Sequence, residues 1–162
     1  VRRLRVVALL AVSIAAGGWL VANLQPLHRA PAGLDRVVAA EAIAKAKFGS
    51  ICNNQPITVR RGALPPGRLA RASWQYMADG PDDPSTYFDC VITLAHGHFA
   101  WPRFCTVIAH EVAHLAGYRA PAGQEFVRPD GTLDRFHSRN KRSLMYPRFV
   151  AVWPPCRGRG PA

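Results

Sequence analysis

The most apolar stretch of the chain comes first. Residues 6–24 are interrupted only by Ser13, Gly17, Gly18 and Asn23, and Arg2, Arg3 and Arg5 precede them. That length lies between the core of a signal peptide and a full membrane span of about 20 residues, so residues 1–25 read as a signal peptide or, with a slight preference, a retained membrane anchor. The basic flank stays inside and the remainder is exported. Residues 26–33 read as a linker between Pro26 and Gly33. Apolar positions then recur at Leu34, Val37, Val38, Ile43 and Ala44 among good helix formers, with Asp35 near the start and Gly49 as the stop. This predicts an amphipathic helix over 34–48. Runs of β-formers follow at 57–60, at 70–77 with Trp74 and Tyr76, and at 87–94 with Val91, Ile92 and Thr93, separated by turn-rich segments. Pro102 suits the first turn of a second helix whose buried stripe is Phe104, Val107, Ile108 and Leu115, and Gly117 lets the chain turn away at its end. Further on, Pro129-Asp130-Gly131 between apolar residues predicts a β-hairpin. Two main helices with a small twisted sheet give an α+β domain over 34–162.

Composition narrows the picture. A chain of 162 residues has room for one domain with a modest core. The net charge of +11 comes from arginines scattered over loops and termini, a solvated basic surface suited to acidic partners such as an anionic envelope. Neither a basic helix nor an aromatic-basic face is evident, which argues against nucleic acid as a partner. The domain is expected to act as a monomer. The four cysteines form no CxxC pair, so a structural zinc knuckle is not indicated. An even number behind an export segment suggests two disulfides, for which three connectivities are open. Cys105 with Cys156 and Cys52 with Cys90 is favoured, because Cys105 begins the second helix and Cys156 ends a tail that has little else to hold it.

Chemistry concentrates at His110-Glu111-Val112-Ala113-His114. On a helix, histidines at i and i+4 face the same side one turn apart, and both imidazoles can reach one Zn²⁺ at about 2.0–2.1 Å. Glu111 adjoins the first ligand and can act as a general base on water at the metal without ligating it. His96 and His98, in the loop before this helix, could serve a second metal but read more simply as solvated loop residues.

Together with Gly117, the later His137-Ser138 and Ser143-Leu144-Met145-Tyr146-Pro147, this stretch resembles the metzincin clan of zinc peptidases, most closely its matrixin branch. Met145 follows His137 by eight residues, the matrixin spacing between the third histidine and the methionine of the Met-turn. The chain departs from the family in having Ala113 for Gly, Ala120 where the third histidine would stand, and twenty residues from Gly117 to His137. Residues 118–136 therefore read as an insertion that rims the cleft.

The resemblance implies a zinc endopeptidase: His110, His114 and His137 as ligands, Glu111 as general base and Met145 as a hydrophobic floor. It also implies that strand 89–94, including Val91, Ile92 and Thr93, is the sheet edge to which a peptide substrate adds. Pro147 and Phe149 would then form the outer wall of the pocket beyond the scissile bond. Within the insertion, Gly131-Thr132-Leu133-Asp134 resembles the GTxD motif of aspzincins, which makes Asp134 the rival third ligand. A membrane-tethered binding module that keeps the zinc fold without activity is the alternative from another functional class.

Overall fold

The structure, a computed structural model, describes residues 34–49, 51–77, 83–148 and 151–161. The apolar segment 1–25, the linker 26–33 and Phe149 lie outside the described residues. Among those described, no helix is long and apolar enough to cross a membrane.

The first predicted helix is present as α1, Leu34–Phe48, and of the apolar positions expected to face inward Val37, Ile43 and Ala44 pack on the core. Ala40 and Ala44 are wholly buried one turn apart, and their small side chains let α1 pack closely on α2, Trp101–Leu115. Val38 is instead 59% exposed, since it stands two residues, about 200° of helix rotation, from Ala40.

Strands β1 (Thr58–Arg61), β2 (Ala70–Tyr76) and β3 (Tyr87–Leu94) form one sheet in the order β1-β3-β2. The β1 strand runs parallel to β3, and β2 antiparallel. Between Ser73↔Val91 and Gln75↔Phe88, β3 advances one residue more than β2, a bulge at which Asp89 adopts φ +49°. Aspartate tolerates this left-handed conformation better than the β-branched residues around it. The extra residue resets the alternation, so that Tyr87 points inward and so do Cys90, Ile92 and Leu94. These side chains meet Val107, Ile108, Val112 and Leu115 of α2 in the core.

The α2 helix ends on Gly117 at φ +71°, where Tyr118 N–H reaches Ala113 C=O and Gly117 N–H reaches His114 C=O, both at 2.9 Å. This is the Schellman pattern that a left-handed residue completes. The predicted hairpin follows as β4 (Glu125–Val127) and β5 (Leu133–Ser138), a separate two-stranded sheet. Its turn is closed by Asp130, whose Oδ1 accepts from the Thr132 N–H at 2.9 Å and the Thr132 hydroxyl at 2.7 Å.

Both expected disulfides are present, Cys52–Cys90 and Cys105–Cys156, and they suit an oxidising compartment outside the cytosol. The second ties the C-terminal 3-10 turn Pro154–Cys156 to α2. Trp153 supports the same junction: its N–H donates to the Thr106 hydroxyl at 3.1 Å, and its ring stacks on Phe48.

Candidate metal centre

Helix periodicity puts His110 and His114 on one side of α2, and the hairpin returns His137 on β5 to meet them. One ligating nitrogen from each of the three lies within 4.8 Å of the others. His110 Nδ1 donates to the Leu144 carbonyl at 2.8 Å, which turns its Nε2 toward His114 Nε2 at 3.1 Å. Two nitrogens bound tetrahedrally to one zinc stand about 3.3 Å apart, so this pair fits the metal. His137 Nδ1 donates to Asp134 Oδ2 at 3.0 Å, leaving Nε2 as the ligating atom.

Asp134 is thus placed behind His137 and outside the three-nitrogen cluster. Its Oδ2 also takes Arg128, with Nη2 at 3.2 Å, and its Oδ1 accepts the Phe136 N–H at 3.1 Å. Partial burial is the largest single influence on this carboxyl and pushes it up, but His137, Phe136 and Arg128 together hold it below the usual carboxylate range. A carboxylate that orients a ligating imidazole is the usual companion of a metal-binding histidine.

Burial keeps the imidazoles of His110 and His114 neutral, the form that ligates. It pulls His110 down to about 4, opposed by the Leu144 carbonyl and assisted by His137. His114 falls to about 2, again chiefly through burial and then through His110, His137, Arg119 and Arg68. Glu111 is pushed up to about 7 by burial, with the Ala72 N–H and Arg68 acting against it. The carboxylate is held in place from across the cleft: Oε2 accepts the Ala72 N–H of β2 at 2.6 Å.

Met145 is 2% exposed, in the segment that anchors the histidines. Its carbonyl accepts the N–H of Ser138, directly after His137, at 2.9 Å, and its neighbour Leu144 holds His110. The hairpin leans on the same segment through an edge-to-face contact of Phe126 with Tyr146.

These groups open onto a cleft of about 580 Å³ walled by β2, the turn before it, the hairpin and Pro147. The substrate edge expected at Val91, Ile92 and Thr93 is not there. They belong to β3, the central strand, whose two sides are taken by β1 and β2, and Ile92 is wholly buried. Density of β-formers marks the central strand, paired on both sides, whereas of the two edge strands, β1 and β2, it is β2, with Arg71 and Gln75 among its residues, that lines the cleft. His96 and His98 are exposed and stand outside the histidine cluster. Ala72 and Leu144, the partners of Glu111 and His110, are not marked in the sequence. Both act through backbone atoms, on which side-chain identity carries no signal.

Comparison with family models, curated proteins and solved structures gives no match.

Proposed function

We propose that this chain is an exported zinc endopeptidase of the metzincin kind, closest in pattern to the matrixins. The observation that carries this reading is the convergence of His110, His114 and His137 beside a carboxylate, Glu111, that is pinned to the edge strand of an open cleft. Zinc bound there supplies Lewis acidity, polarising a carbonyl oxygen and acidifying water. Glu111 receives the proton of the attacking water and passes it to the departing amine, and its buried position keeps its basicity close to neutral pH. Held through Oε2 by Ala72, it presents its other oxygen to the reactants.

The peptide lies along β2 as an added strand. Ala72 turns its N–H away from β3 and toward the cleft, so alternate backbone groups of this edge face the substrate. Pro147 closes the far wall.

Glu111→Gln tests the assignment. Zinc content should be unchanged, while kcat for peptide hydrolysis falls by about 10²–10⁴, the usual worth of a general acid–base group. A binding module with this fold and no activity would hold zinc in both proteins and cleave peptide with neither.

A further inference from the structure

The cleft is unevenly charged. Its walls carry three arginines, Arg68, Arg71 and Arg128, and two carboxylates, Glu111 and Asp134. Both carboxylates are committed, Glu111 to the Ala72 N–H and Asp134 to His137 and Arg128. Arg128 is thereby spent within the wall. Arg68 and Arg71 are left, and among the described residues neither side chain makes a hydrogen bond or ion pair.

The backbone that carries Arg68 is constrained. It closes the turn Pro65-Pro66-Gly67-Arg68, in which its N–H reaches the Pro65 carbonyl at 3.1 Å and Gly67 takes φ +80°. Proline followed by a left-handed glycine is the pattern of a type II turn, and the proline removes much of the backbone freedom ahead of Arg68. From this turn the chain enters β2 directly, and Arg68 lines the same cleft as Glu111 and His114.

Resting on the peptidase reading above, we propose that Arg68, assisted by Arg71, selects peptides that carry a carboxylate close to the scissile bond. A guanidinium offers two parallel N–H donors that match a carboxylate, and a cleft with surplus positive charge concentrates anionic ligands before contact. The carboxylate comes from an Asp or Glu side chain or from the peptide's own C-terminus; both present the same two oxygens to Arg68.

The test reads binding, so that it stands apart from turnover. Zinc-loaded full-length chain carrying Glu111→Gln is titrated with three fluorescent peptides by anisotropy: one with Asp and Glu flanking its centre and a C-terminal amide, its Asn and Gln counterpart, and that counterpart with a free C-terminus. The acidic or the free-carboxylate peptide should bind roughly two- to fivefold tighter than the neutral one, as expected for an exposed ion pair, and added salt should erode the difference. Whichever peptide gains identifies the source of the carboxylate. Adding Arg68→Gln should remove the preference, Arg68→Glu should invert it, and Arg68→Lys should keep part of it, with zinc content constant throughout as the check on folding. Equal losses for all three peptides on Arg68→Gln, no preference in the parent, or no measurable binding of either carboxylate peptide overturns the proposal. Failure of the Glu111 protein to cleave any peptide would instead overturn the peptidase reading and leave the binding preference to be judged on its own.

Discussion

Asp134→Asn separates a residue that orients a ligand from one that ligates. The substitution preserves size and removes charge at Oδ2, which takes His137 Nδ1 at 3.0 Å and the Arg128 guanidinium. His137 then loses a charge-assisted bond that fixes its tautomer and ring plane, while its Nε2 remains able to reach the metal. Loss of such an orienting carboxylate typically weakens metal binding by about 10–100-fold, or about 1.4–2.7 kcal/mol. His137→Ala removes one of the three ligating nitrogens outright, and the remaining pair should not retain zinc through dialysis. The measurements are metal content after dialysis and zinc affinity by competition with a chromophoric chelator, on the full chain. Asp134→Asn and Asp134→Ala should both bind one zinc per chain at saturation with reduced affinity, and His137→Ala should bind none. Zinc retained by His137→Ala and lost by Asp134→Ala would make the carboxylate the third ligand, as in aspzincins. Unchanged affinity in Asp134→Asn would show that the hydrogen bond does not orient the ring.

Gly117→Ala should destabilise the domain by about 3 kcal/mol, combining the left-handed penalty with overpacking. A Cβ there would stand 2.1 Å from Pro84 Cγ, and an unshifted urea midpoint would contradict this. Removing Cys105–Cys156 with a double serine variant should cost about 4 kcal/mol by loop-closure entropy. The bridge spans 51 residues, and its presence also requires that the unreduced, denatured wild-type chain show no thiol at either position. The metal-free protein should lose stability as pH falls from 6.5 toward 4. Folding lowers the His110 pKa from 6.5 to about 4 and that of His114 further, so in that window the unfolded chain takes up two protons that the folded chain refuses, while Glu111, raised from 4.5 to about 7, takes up one in the folded chain and offsets one of them. The loss approaches about 3 kcal/mol, and urea midpoints of chelated protein at pH 7 and pH 5 that coincide would refute it.

What the sequence by itself determined was set by local chemistry. The spacing of His110 and His114 needs only a helix to become a ligand pair, and Pro102 with Gly117 bounds that helix. Pro129-Asp130-Gly131 closes its hairpin through hydrogen bonds within residues 128–132, a local signal that was enough to foresee that His137 could return to α2. Tertiary structure decided which strand edges the cleft. One bulge residue, Asp89, resets the inward face of β3, and the pairing of β3 with both neighbours leaves β1 and β2 as the edges, of which β2 lines the cleft. It also decided the position of Asp134: an aspartate three residues before a histidine can face the same cluster or stand behind the ring, and its contacts with His137, Arg128 and Phe136 place it behind. Glu111 and Ala72 lie 39 residues apart, and a contact of that kind depends on how the sheet docks on the helix, which no periodicity along the chain encodes.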